Sequence, residues 1–213
     1  PQLVIYTAIF FVPSVIGMAA GFTDWHTMNT TGIHFIGFEH FMYALFEDPF
    51  AKEALRNTFL YAATVMAVQN LAARGLALLM NMQFRTSGFI RGAFFAPVVL
   101  SSTIIAYTFS AILYPNGPFD QLLIALGMED SIKAWLVDKS INIFIIGLVH
   151  SWQFMGLGAT IYLAGLKSIP IELREASKID GATSFQHFRN ITIPLLGPSI
   201  TVNMVSCFIG VMK

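Results

Sequence analysis

Residues 3–22 read LVIYTAIFFVPSVIGMAAGF, an unbroken run with no charged side chain. A hydrocarbon core of about 30 Å is crossed by a helix of about 20 apolar residues, so this one stretch is already long enough to span a bilayer. The whole chain agrees with it. Of 213 residues, 55% are hydrophobic and 11% charged, whereas soluble domains carry about 25% charged residues. Four more apolar stretches, at about 58–82, 92–113, 141–166 and 194–212, are also long enough to span. None alternates polar and apolar residues as a barrel strand must, and a helix satisfies its own backbone within hydrocarbon. The expected fold class is all-α integral membrane, a polytopic helical bundle with five spans, and residues 1–213 read as a single transmembrane domain.

No cleavable signal peptide is expected, because the first run lacks a basic flank and a small-residue end. The chain starts at Pro1 and stops at Lys213 as an apolar segment finishes, so both ends are expected to be incomplete. Orientation follows from the basic residues. Loops 83–91 and 167–193 hold Arg85, Arg91, Lys167, Arg174, Lys178 and Arg189, while the longer loops 23–57 and 114–140 hold Lys52, Arg56, Lys133 and Lys139 beside many acids. The denser bases mark 83–91 and 167–193 as cytoplasmic. Residues 34–56 read as short interfacial helices and 114–139 as a YPNGP turn followed by a short amphipathic helix. Both suit ordinary extracellular loops as well as docking surfaces.

Several function classes are disfavoured. The 12 basic and 12 acidic residues balance, which points to no nucleic-acid partner. No Asp or Glu lies inside a span, against a proton-driven carrier. Arg74 is expected to snorkel to the headgroups, and His150 to be held by a neighbouring helix. Metal-ligand spacing, a nucleophile–base pair and a phosphate-cradling Gly loop are absent, so no metal site, catalytic residue or bound cofactor is expected. Cys207 reads as a small core residue. Uncharged groups at membrane depth, among them Tyr107, Ser110, Trp152, Gln153 and Asn203, suit hydrogen bonds between helices. They also suit a passage for a neutral, hydroxyl-rich solute.

The most polar segment joins the fourth and fifth apolar runs. Pro170 suits the first turn of a helix, and Leu173, Ala176, Ser177 and Asp180 share one flat face of it at helical spacing. Glu175 lies beside that face, toward Glu172 and Ile179. Gly181 follows where a helix would end in a left-handed turn. A second helix is expected to begin with a Thr183/Gln186 capping box and to stop before Pro194. A helix–Gly–helix device of this kind, with small residues and an acid at the edge, suits insertion into a groove of another protein. Its acids suit an anionic lipid surface poorly.

The order Glu175-Ala176-Ser177, three residues, Gly181, nine residues, Ile191-Thr192-Ile193-Pro194 resembles the EAA loop of permease subunits of binding-protein-dependent ABC importers. Ser177 and Ile193 depart from that pattern by small changes of size. YLAGLKSIP (162–170), ELREASKIDGA (172–182), RGAFFAPVV (91–99), FTDW (22–25), FIGFEH (35–40) and ALRNTF (54–59) resemble the carbohydrate (maltose/glycerol-3-phosphate-like) branch. The resemblance implies a six-span permease in the cytoplasmic membrane of a prokaryote. It implies as partners a second permease subunit, like or unlike, two ATPase subunits that hold the ATP and Mg, and an extracytoplasmic solute-binding protein. It further implies that Glu172, Glu175, Ala176, Ser177, Asp180, Gly181, Ala182, Ile191 and Pro194 couple the chain to the ATPase. A permease for amino acids, phosphate or polyamines is the nearest alternative, and a passive scaffold that docks a cytoplasmic protein is the alternative from another class.

Overall fold

The computed structural model describes residues 1–25, 32–82 and 87–212. Within the loop read at 83–91, residues 83–86, with Arg85, lie outside the described residues. By its internal contacts the chain forms two units, Pro1–Arg56 and Asn57–Lys213.

In the first unit, α1 (Gln2–Ala20) is the first of the expected spans. It contains a π turn at Thr7–Phe11, just before Pro13. Proline lacks an N–H and its ring crowds the carbonyl four residues back, and a wider turn absorbs both defects. After α1 the chain folds back through an isolated antiparallel bridge between Thr23 and Phe35. Phe22, Phe38 and Phe41 cluster at centroid distances of 5.2 to 6.2 Å. Then comes α2 (Glu39–Met42), which runs on as a π turn, Tyr43–Glu47. The segment 34–56 was expected to consist of separate interfacial helices. Its last part instead opens α3 (Pro49–Asn81), which continues unbroken into the second span. Asp48 accepts from the Phe50 N–H at 2.8 Å, Pro49 fits the first turn, and nothing at 54–60 breaks the helix.

The second unit contains α4 (Ser87–Val99), α5 (Ser102–Ile112), α6 (Pro118–Ala125), α7 (Asn142–Ser168), α8 (Ile171–Ile179), α9 (Ser184–Leu195) and α10 (Gly197–Val211). Helix α7 is its centre. Gly147, Ser151, Gly158, Tyr162 and Gly165 share one face of α7 at helical spacing. Against that face lie Thr64, Val65 and Ala73 of α3 and Asn203 and Ser199 of α10. Gly156 lies on the opposite face, where the backbone of Phe94 and Phe95 in α4 passes directly over it. Small residues let helices approach closely where lipid tails supply no hydrophobic drive for them to associate. The packed core is Ala73, Leu76, Ala77, Met80, Ala159, Tyr162, Leu163, Leu166 and Leu196.

Two expected spans are not straight. The third, read as 92–113, is two helices, with Gly88–Val99 and Ser102–Ile112 meeting at 98°. Pro97 weakens the end of α4, and Ser101 adopts an extended conformation and caps α5 by accepting the Thr103 N–H at 3.3 Å. The fifth, read as 194–212, is bent by 59° between Ser184–Leu195 and Gly197–Val211. Helix α9 also does not stop before Pro194. A π turn at Phe188–Thr192 accommodates the proline, and the break falls at Leu196, ahead of Gly197 and Pro198.

The loop between α5 and α7 is ordered by one buried carboxylate. Asp120 is 2% exposed and accepts from the Asn116 N–H at 2.8 Å and from Trp135 Nε1 at 2.7 Å. Nearby, the Ser140 hydroxyl and N–H donate to Asp138 and hold its carboxyl below the usual carboxylate range.

Candidate functional site

The turn in the polar segment between α7 and α10 folds as its residues lead one to expect. Helix α8 follows Pro170 and ends at Asp180. Gly181 has φ +74°, its N–H donates to the Lys178 carbonyl at 3.1 Å, and the Ala182 N–H donates to the Ser177 carbonyl at 2.9 Å. This pair of bonds is a Schellman motif. Thr183 then caps α9, accepting from the Gln186 N–H at 3.2 Å while Gln186 Oε1 accepts from the Thr183 N–H at 2.8 Å. A side chain at φ +74° costs about 1–2 kcal/mol. Gly181→Val is therefore expected to open this turn, and hydrogen exchange should show the 181 and 182 amides losing protection relative to the core of α7.

The candidate coupling residues do not form one flat face. Leu173, Ala176, Ile179 and Asp180 are exposed, as are Glu172 and Glu175. Ser177 is 6% exposed and turns inward, within 2.8 Å of His187 Nδ1 on α9 and donating to the Arg174 carbonyl at 2.9 Å. The expected grouping of Ser177 with Leu173, Ala176 and Asp180 is thus corrected. The next helix, invisible to a reading of α8 alone, supplies a partner that pulls the hydroxyl under. Ala182 is half-buried at the turn, Ile191 is half-buried within the π turn, and Pro194 is exposed just after it.

Deeper in the unit, a buried hydrogen-bond network joins three spans. Tyr162 on α7 donates to Asn70 Oδ1 on α3 at 2.8 Å, and Asn203 Nδ2 on α10 donates to the same oxygen at 2.9 Å. Asn70 Nδ2 donates to the Met66 carbonyl at 2.8 Å. Arg74, expected to snorkel outward, instead turns onto α7, with Nε donating to Tyr162 Oη at 3.2 Å and the guanidinium 5.5 Å from the ring centre. A phenol that both accepts and stacks is a better partner than the headgroup region for an arginine facing the bundle. Cys207 donates weakly to Gln69 Oε1 at 3.4 Å. Asn70→Leu strands the Tyr162 hydroxyl and the Asn203 amide together. It is expected to cost about 2 kcal/mol, which a denaturant titration in detergent measures.

The candidate passage residues separate into two groups. Gln153 and Asn203 are 4% and 2% exposed and serve helix contacts. Gln153 Nε2 donates to the Leu100 carbonyl at 3.3 Å, which satisfies backbone freed by the bend between α4 and α5. Tyr107, Ser110 and Trp152 remain exposed, Tyr107 at 76% and Trp152 at 39%. Trp152 meets Phe109 edge to face at 5.5 Å, so an aromatic pair bridges α5 and α7. His150 packs between the rings of Tyr61 and Phe154.

Residues 69–213 match the family model described as "Binding-protein-dependent transport system inner membrane component". The chain is 31% identical over 204 residues to a probable starch degradation products transport system permease protein, AmyD, of Thermoanaerobacterium thermosulfurigenes, covering 96% of the chain and 68% of that protein. It is 34% identical over 197 residues to a probable ABC transporter permease protein, YurN, of Bacillus subtilis, covering 91% and 66%. The chain thus spans about two thirds of the length of these relatives. It also superposes on a chain of a bacterial alginate ABC transporter, solved in complex with an alginate pentasaccharide-bound periplasmic protein. There the TM-score is 0.79 at 25% identity, covering 97% of the chain and 68% of the other.

Proposed function

Because the chain belongs to the family of binding-protein-dependent transport system inner membrane components, we propose that it is the membrane-spanning subunit of an ATP-driven importer of a sugar or sugar-like solute. The observation that carries this reading is the capped two-helix device at 171–195. Its exposed acids and small residues project from a segment tied to α7 at one end and α10 at the other. Such a device transmits the movement of a docked partner directly into two spans. Helix α8 enters a cleft of an ATPase subunit, Ala176 permits close approach, and Glu175 meets a base of the partner. A second permease subunit completes the passage, an external binding protein delivers the solute, and ATP with Mg stays on the ATPase.

ATP binding draws two such devices together and tilts the spans attached to them, which exposes the passage alternately to the two sides. The buried Asn70–Tyr162–Asn203 network makes α3, α7 and α10 move as a unit. The neutral aromatic pair of Trp152 and Phe109 suits stacking against a sugar ring. The chain itself catalyses nothing.

Reconstitution with the cognate permease partner, ATPase and binding protein tests this. Uptake of a labelled oligosaccharide into proteoliposomes should require ATP and the binding protein together. Uptake that persists without either, or that is confined to amino acids or polyamines, overturns the assignment.

A further inference from the structure

Helix α8 has two chemically distinct sides. Arg174, Ser177 and Lys178 turn toward a cleft of about 760 Å³, which Asn81 at the end of α3, Lys167 at the end of α7 and Ser184 at the start of α9 help to line. Leu173, Glu175, Ala176, Ile179 and Asp180 do not line it. Lys167, Arg174, Lys178 and His187 face the cleft against one acid, Glu172. Among the described residues none of these three Lys and Arg side chains is paired with a carboxylate. Positive charge is therefore gathered on the side of α8 turned toward the spans, while Glu175 and Asp180 stay off it.

The depth of the cleft identifies what meets that charge. Lys167 and Asn81 belong to the last turns of α7 and α3, so the cleft opens at the ends of two spans, on the side where a bilayer carries its headgroups. We propose that it holds the phosphate of an anionic lipid of the inner leaflet, with Lys167, Arg174 and Lys178 as its cationic partners and the Ser184 hydroxyl as a hydrogen-bond donor. A lipid seated there ties the cleft side of α8 to the membrane while the opposite side stays free for a protein partner. The proposal rests on the importer reading only for which leaflet the cleft faces, and its test measures lipid retention without ATP or transport.

The assembled transporter, purified from nanodiscs of mixed phosphatidylglycerol and phosphatidylcholine, is examined by native mass spectrometry. Wild type should retain phosphatidylglycerol selectively. A cation near the membrane surface is worth a factor of about five in binding an anionic lipid. The triple variant Lys167→Gln, Arg174→Gln, Lys178→Gln should therefore lower that retention by about a hundredfold. Ser184→Asp places an acid in the first turn of α9, where helices favour one, so the fold is kept and retention should still fall. Lys133→Gln, in the loop between α6 and α7, matches the unit charge change of Ser184→Asp and should leave retention unchanged. Retention in the triple variant and Ser184→Asp equal to wild type overturns the proposal. Release of the lipid by millimolar inorganic phosphate also overturns it and assigns the cleft to a soluble anion.

Discussion

Gly156→Leu is expected to leave almost no folded permease. A Cβ built at Gly156 falls on the backbone carbonyl of Phe94 and lies within 3.2 Å of the Phe95 Cα. A flexible side chain can yield to such a contact, but a helix backbone cannot, so α4 and α7 must separate along the crossing. Overpacking typically costs about 1–3 kcal/mol. A leucine against backbone belongs at or above the top of that range, a large share of a stability of about 5–15 kcal/mol. Gly156→Ala should already lower thermal stability. Gly75→Ala, where nothing lies within 4 Å, should be neutral or gain about 0.5–1 kcal/mol, since Gly in a helix interior is the poorer choice. Thermal unfolding in detergent separates the three. Equal stability of Gly156→Ala and Gly75→Ala would show that the α4–α7 crossing is looser than described.

Glu175→Arg is expected to have the opposite profile, with folding intact and transport lost. Glu175 is exposed and has no side-chain partner among the described residues, so a reversed charge disturbs nothing within the chain. At the proposed interface it would oppose a base of the ATPase. Truncating one partner of a buried hydrogen-bonded pair costs about 2–5 kcal/mol, so reversal should reduce binding-protein-dependent uptake by well over tenfold. Thermal stability should equal that of wild type. The ATPase subunits should co-purify less well or hydrolyse ATP without uptake. Full uptake by the variant would remove Glu175 from the coupling role.

These variants also mark what could be read in one dimension. The span positions followed from the length of apolar runs, and the Gly181 turn and the Thr183/Gln186 cap followed from residues within a few positions of one another. All of these depend on local backbone chemistry, which proximity along the chain exposes. The bends escaped because an apolar run looks the same whether straight or broken. Pro97, Ser101 and Pro194 were visible, yet the choice among a kink, a π turn and a break depends on what satisfies the freed backbone. For Leu100 that is Gln153, 53 positions away.

The functional residues divide along the same line. Glu172, Glu175, Ala176 and Gly181 stood out because a polar, capped segment is anomalous between greasy runs. Asn70 and Gln69 were polar residues in the second span whose only warning was their composition. Tyr162, Arg74 and His187 gave no warning of their partners at all. Separations of 88, 92 and 133 residues divide the members of the Arg74–Tyr162–Asn70–Asn203 network.

The amino-acid sequence by itself determined that this chain lives in a membrane as helices and that a capped helix pair hangs between two of its spans. Hydrophobic length and local capping depend on neighbours along the chain, so no tertiary contact was needed for either. Only the tertiary structure decided which spans break, where Arg74 points, that Gln153 and Asn203 hold helices together, and that α8 turns its bases inward while Glu175 and Asp180 stay outside the cleft. Those outcomes depend on which buried donor finds which acceptor, and burial brings together residues that the order of the chain keeps far apart.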